Sequence, residues 1–256
     1  MWKKLRIAVL LFVLVVVAAN AWYDQHRVHA WRQAVYVGIF PMAGDGSAVT
    51  RAYVAGLARG EYAAIPEFFS EEARRIGLAL TDPVRIEVYG SPPNLPPAPP
   101  TGSMLATVWW SLKIRYYAWH YGVPPSGPRP VIRMFVVYHD PALSPSLAHS
   151  AGLEKGLIGV AHVFAVPHMR GSNDVVIAHE LLHTFGATDK YDPVTDAPLF
   201  PDGYGDPAQV PRYPQRLAEV MAGRRALSAS QQEMPASLDE CVIGPATAAE
   251  IHWTQH

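Results

Sequence analysis

The sequence predicts an α/β fold: a mixed, mostly parallel twisted sheet over one central helix, following an N-terminal signal or anchor segment. Three observations carry that expectation. Short β-branched and aromatic runs alternate with helical stretches in the order strand, helices, strand, helix, strand, strand, helix, the pattern of strands joined by crossover helices. The stretch Val175–Phe185 is apolar almost all round, so it belongs at the centre of the molecule rather than on its surface. Half of the 256 residues are hydrophobic and 17% are charged, ample material for one core.

The N-terminus reads as a targeting element. Lys3, Lys4 and Arg6 precede Ile7–Ala19, a run with no polar residue, which is a basic n-region followed by an apolar h-region. Ala19-Asn20-Ala21 offers small residues for cleavage after Ala21. Left uncleaved, Ile7–Tyr23 is at the short end of a spanning helix, with Trp2, Trp22 and Tyr23 at interfacial positions. An uncleaved anchor over residues 1–23 is preferred to a cleaved signal, with 24–33 as a juxtamembrane stalk and 34–256 as one domain. Either way the domain is expected outside the cytoplasm, as a single-pass protein of the cell membrane or as a secreted or periplasmic one.

Ala34 to Phe40 is a buried strand, expected to end at Pro41. Ser47 caps a helix to about Leu57, and a second helix runs from about Ile65 to Leu80. Val84 to Tyr89 is a strand. Ser91 to Pro100 holds six prolines and is an irregular loop. Ser103 to Tyr121 is a helix with two apolar faces, Leu105, Val108, Trp109, Leu112, Tyr116 and Trp119 on one and Trp110, Ile114, Tyr117 and Tyr121 on the other. Such a helix rests on a membrane, lines a groove or is packed on both sides, and packing on both sides is preferred. Val131 to Tyr138 and Leu157 to Val166 are strands, the latter broken near Gly159. Ser172-Asn173-Asp174 supplies caps for a helix from about Val175 to Phe185. Asp189 to Pro214 is a loop, and Thr247 to Trp253 a closing helix.

Composition excludes some chemistry. A net charge of -1 argues against a nucleic-acid partner. One cysteine, Cys241, allows no intramolecular disulfide and no multi-cysteine zinc knuckle; it reads as a small buried hydrophobe. No nucleophile elbow, phosphate loop or dinucleotide glycine fingerprint is present.

His179-Glu180-Leu181-Leu182-His183 is the H-E-x-x-H pattern. Two histidines four apart lie one helical turn apart on the same face, about 6 Å along the axis, and can close on one cation. Glu180 is offset around the helix and suits the work of a general base on water. Two histidines and a carboxylate in an otherwise apolar helix are costly to bury without a strong partner, and a metal answers that cost.

The segment continues as H-E-L-L-H-T-F-G-A-T-D, with Gly186 and Asp189 at three-residue steps after His183. This resembles the metzincin signature, in its snapalysin-like form with aspartate in place of the third histidine. Ala218-Glu219-Val220-Met221-Ala222-Gly223 is similar to the methionine turn that lies beneath the metal in that family. The resemblance covers about Asn173 to Gly223. It implies a zinc metallopeptidase of zincin fold, Zn2+ held by His179, His183 and Asp189, Glu180 as catalytic base, Met221 in the turn, and a protein or peptide substrate.

Rival assignments stay open. Glu219 is the alternative third ligand if Arg216-Leu217-Ala218-Glu219-Val220-Met221 is helical. Tyr191 is a weak candidate for oxyanion contact; Tyr204 and Tyr213 are unranked. His162 and His168 read as structural or surface groups. Asp192, Asp196, Asp202 and Asp206 offer oxygens for calcium but fit turn chemistry better. At the level of function, an amidase acting on cell-wall peptides and a non-catalytic zinc-binding envelope protein are the alternatives.

Overall fold

The computed structural model describes residues 26–100, 103–123, 127–147 and 150–254, with positions 2, 6, 7, 11, 12, 15 and 19 of the leading segment. The expected signal or anchor over 1–23 therefore lies largely outside the described residues. Among those described, no helix is long and apolar enough to cross a membrane.

The main sheet has five strands in the order β2-β1-β3-β5-β4. These are β1 (Val35–Ala43), β2 (Val84–Val88), β3 (Ile132–His139), β4 (Ala151–Leu153) and β5 (Ile158–Phe164). All pairings are parallel except β4 with β5. Helices α1 (Ala48–Ala55) and α2 (Ala64–Ile76) connect β1 to β2, and α3 (Met104–Tyr121) connects β2 back past β1 to β3. The direction across the sheet reverses between these two connections. Right-handed crossovers then place α2 and α3 on opposite faces.

The α2 face carries the larger core. There Val37, Ile39, Met134, Val136, Ala161 and Val163 meet Phe68 and Phe69 of α2 and Val175, Ala178, Leu181 and Leu182 of α4 (Arg170–Thr184). Opposite, Phe40, Met42, Phe135, Val137, Ile158 and Val160 meet Ile114, Tyr117 and Ala118 of α3. The predicted mixed, mostly parallel sheet with a buried helix packed against it is present.

Several boundaries differ from expectation for local reasons. β1 runs through Pro41, which pairs with Val136. Pro41 lies past the last residue of β1 that pairs with β2, Ile39, and its carbonyl accepts from Ser91 Oγ at 2.5 Å. Its missing N–H thus interrupts no ladder. Helix α2 stops at Gly77, whose φ of 89° is left-handed and ends the helix before Leu80. Strand β5 is not broken at Gly159; a Cβ there would lie 2.3 Å from Met134 Sδ, so the glycine makes room for that side chain. The expected stalk is part of the domain from Val28 onward: Val28 and Trp31 are buried in the larger core, and Trp31 Nε1 donates to Ile251 O at 2.6 Å.

The caps expected at Ser172, Asn173 and Asp174 are not used as caps. Helix α4 begins at Arg170, continuing a 3-10 turn over Pro167–Met169. Asn173 instead ties α4 to β5, accepting from Phe164 N at 3.1 Å and donating to Phe164 O at 2.8 Å. Asp174 is buried, and burial pushes its carboxyl up to about 7, with Arg170 opposing the shift and Glu61 adding to it. A raised folded-state pKa lets the unfolded chain ionise first, so stability falls as pH rises from about 4 to about 7. Asp174→Asn is expected to stabilise the fold by roughly 1–4 kcal/mol at pH 8 and by nothing measurable near pH 4. Urea midpoints at the two pH values check this.

Helix α3 is not packed on both sides. Only Ile114, Tyr117 and Ala118 are buried, and the polar tips of that side are tied to the proline loop: Trp110 Nε1 donates to Pro97 O at 2.7 Å and Tyr117 OH to Asn94 O at 2.5 Å. Leu105, Trp109, Tyr116 and Trp119 are each at least 60% exposed. Periodicity finds two apolar faces on this helix, but the sheet covers one.

Candidate metal centre

Helix α4 brings His179 and His183 onto one face, one turn apart, as the four-residue spacing requires. Their Nε2 atoms lie 3.1 Å apart. The chain then leaves the helix through Gly186, whose φ of 98° is a left-handed value natural to glycine, while Ala187 N bonds Leu182 O at 3.1 Å in a helix-ending turn. Three residues further on, Asp189 Oδ1 sits 3.1 Å from His179 Nε2 and 3.2 Å from His183 Nε2. Two imidazole nitrogens and one carboxylate oxygen thus form a nearly equilateral triangle.

That triangle fits a small divalent cation. A tetrahedral ion with bonds of about 2.0–2.1 Å spaces its ligands about 3.3 Å apart. The other ring nitrogens are already engaged: His179 Nδ1 with Val220 O at 3.0 Å and His183 Nδ1 with Ala187 O at 2.8 Å. A carbonyl accepts only from N–H, so each Nδ1 carries a proton, and on the neutral ring the Nε2 lone pair is left for the cation. Glu180 also brings a carboxylate oxygen within 4.8 Å of both imidazoles. It is buried, and its Oε2 has no hydrogen-bond partner among the described residues. An orphaned buried carboxylate oxygen beside the triangle fits a site that receives further groups.

Burial and paired charge set the electrostatics of this cluster. Burial pushes the Glu180 carboxyl up, against the pull of His179 and His183. Burial also opposes charge on His179, but the Asp189 carboxylate, Glu180 and the Val220 carbonyl outweigh it and raise its pKa to about 9. Burial likewise opposes charge on Asp189, yet hydrogen bonds from both histidines hold its carboxyl well below the usual carboxylate range. Without a metal, then, a proton on His179 neutralises Asp189. A cation must displace that proton. Metal affinity is expected to rise with pH up to about 9, and binding at pH 7 to release about one proton. Calorimetry in buffers of different ionisation enthalpy measures that number.

Asp189 is held from both sides. Lys190 N donates to Met221 O at 3.0 Å. Thr188 N and Oγ1 donate to Glu250 Oε2 and Oε1 at 2.9 and 2.8 Å, and the buried Lys190 Nζ reaches the same carboxylate at 2.8 Å. Glu250 ends α5 (Pro245–Glu250), so the closing helix steadies the residues on either side of Asp189. Sequence spacing carries no sign of this clamp, which joins positions 60 residues apart.

Met221 is fully buried in a turn that follows β6 (Ala218–Glu219). Gly223 closes the turn with φ 65°, its N–H reaching Glu219 O and Val220 O at 3.2 Å. The segment is not helical, because β6 pairs with β7 (Cys241–Val242). Glu219 is not brought to the triangle as a free ligand: Met221 N, Ala222 N, Gly244 N and Thr247 Oγ1 donate to its two oxygens at 2.7–3.1 Å. Its carboxylate shapes the turn whose Val220 carbonyl orients His179.

A scan against protein-family models and a search of curated proteins give no match.

The remaining candidates fall outside the triangle. Tyr191 is nearest, with its ring 6.3 Å from that of His179. It lines a cleft of about 220 Å³ with Val175, Val176, Glu180, Ala222 and Met234. Tyr204 and Tyr213 bond each other at 2.9 Å. His162 pairs with His139 at 3.0 Å, and His168 is exposed. Asp192 and Asp206 accept from backbone N–H groups of their own turns, and Asp196 pairs with Arg224 at 3.2 Å. His179, Glu180 and His183 bring ligand-type atoms within 4.8 Å of one another and could hold a metal ion, and Asp189 adds the oxygen described above. One element near the site has no counterpart in the sequence analysis: edge strand β4, where a Cβ on Gly152 would lie 2.4 Å from His183 Cβ.

Proposed function

We propose that this chain is a zinc-dependent metallopeptidase of metzincin type, acting outside the cytoplasmic membrane. The observation that carries the reading is the triangle of His179 Nε2, His183 Nε2 and Asp189 Oδ1, with Glu180 buried beside it. Two imidazoles and a carboxylate are the three-ligand set of catalytic zinc sites, and such a set leaves a position for a reacting group. A structural zinc site has four protein ligands and no need of a base.

When bound, the cation supplies Lewis acidity to a carbonyl oxygen and to water. Glu180 does the proton work. Its Oε2, unpartnered among the described residues, takes a proton from the attacking water as the oxygen adds to the carbonyl carbon. The same carboxyl then returns that proton to the amine nitrogen as the C–N bond breaks. Burial raises the Glu180 pKa and makes it a stronger base at neutral pH. The Val220 and Ala187 carbonyls hold the imidazoles in one tautomer throughout. Edge strand β4 supports a peptide as substrate: it is antiparallel, ends the sheet among the described residues and packs Gly152 on His183. An extended peptide adds to such an edge through main-chain hydrogen bonds.

Incubating the zinc-loaded full chain with a proteome-derived peptide library and, separately, with cell-wall muropeptides tests the reading. Cleavage at internal peptide bonds, lost with chelator and restored by zinc, is the expected result. Hydrolysis confined to muropeptides, or no hydrolysis of either, overturns it.

A further inference from the structure

The exposed face of α3 is a continuous apolar and aromatic stripe. Leu105, Val108, Trp109, Leu112, Tyr116 and Trp119 are 54–81% exposed and recur at three- and four-residue steps, so they share one side of the helix. The opposite side packs on the sheet through Ile114, Tyr117 and Ala118. A patch of this kind on a soluble surface marks a place where something docks.

Charge identifies the occupant. Between Glu87 and Asp140 the sequence contains no aspartate or glutamate, while Lys113, Arg115, Arg129 and Arg133 all fall within it. Lys113 and Arg115 sit on α3 itself and are exposed; Lys113 Nζ lies 5.7 Å from the centre of the Trp109 ring. Tryptophan, tyrosine and leucine flanked by cations, in a stretch of sequence without carboxylates, match the layer where acyl chains meet anionic headgroups. The leading segment points the same way, since Lys3, Lys4 and Arg6 followed by the apolar run Ile7–Ala19 make a second membrane-seeking element in the same chain.

We propose that α3 lies in the interface of an anionic lipid bilayer and docks the domain onto it. This inference does not depend on the proposed hydrolysis. Helix α3 covers the sheet face opposite α4, so docking leaves the face that carries His179 and His183 turned away from the bilayer. Two contacts, one from the leading segment and one from α3, hold the domain more firmly and in a more fixed orientation than one.

The test uses the full chain in vesicles of equal parts phosphatidylglycerol and phosphatidylcholine. A spin label is placed at Leu112→Cys or, as control, at Val194→Cys, which is 89% exposed; the native Cys241 is buried. A water-soluble relaxation agent is expected to strike the Leu112→Cys label about tenfold less often than the control, while molecular oxygen strikes it more often. Adding Lys113→Glu and Arg115→Glu, or raising salt, is expected to weaken the shielding. Equal exposure of both labels to the water-soluble agent overturns the proposal. So does shielding from both agents that grows with protein density, which marks a second copy on this face.

Discussion

Glu180→Gln is expected to lower the proposed peptide hydrolysis by about 10²–10⁴-fold, the usual contribution of a positioned general base, and to leave metal binding intact. Glutamine keeps the size and burial of the side chain but cannot accept the proton at Oε2. The proposed ligands His179, His183 and Asp189 are untouched, so metal content is expected to stay at the wild-type level. Loss of activity with loss of metal would instead make Glu180 a ligand. Unchanged activity would remove it from the chemistry. Steady-state kinetics and metal content measured on the same preparation separate the three outcomes.

Asp189→Ala and Glu219→Ala are expected to have opposite signatures, although both remove a carboxylate close to α4 in sequence or space. Asp189 is 45% exposed on its side chain. Its loss is expected to cost little stability but to lower zinc affinity by more than the roughly 10–100-fold typical of outer-shell changes. Glu219 is fully buried and accepts from Met221 N, Ala222 N, Gly244 N and Thr247 Oγ1. Its removal strands those donors in the core, with an expected loss of about 3–5 kcal/mol. Urea denaturation of the zinc-free proteins reads the second effect, and competition with a chelating dye reads the first. A Glu219→Ala protein of wild-type stability, or an Asp189→Ala protein of wild-type affinity, contradicts the assignment.

The convergence of His179, His183 and Asp189 is legible in sequence because its geometry is local. His179 and His183 are joined by helical spacing alone, and Gly186 marks the left-handed turn that returns Asp189. What the spacing could not show are contacts made through the backbone or across the fold. The Val220 and Ala187 carbonyls that orient the imidazoles belong to turns whose direction depends on tertiary packing. Glu250 reaches Thr188 and Lys190 only because α5 folds back on the loop. Strand β4 has three residues, one of them Gly152, and leaves no alternating pattern to detect.

The fold follows the same division. Long apolar runs identify β1, β3, β5 and α4, because burial on both sides leaves a strong composition signal. Helix α4 starts earlier than its capping residues suggest, because Asn173 and Asp174 carry capping chemistry but lie buried inside the helix, where Asn173 anchors it to β5. Helix α3 shows the limit of periodicity most plainly. Its two apolar stripes are visible in sequence, yet nothing in their spacing says that the sheet covers Ile114 and Tyr117 and leaves Trp109 and Trp119 outside.

Metal content of the purified full chain and its Asp189→Ala variant, after dialysis against limiting free zinc, bears most directly on the convergence of His179, His183 and Asp189. One tightly held zinc per chain in the first and little in the second is the outcome required by the triangle. A wild-type chain that retains no divalent metal, or a variant that retains as much as the wild type, would mean that these three side chains do not form a common site.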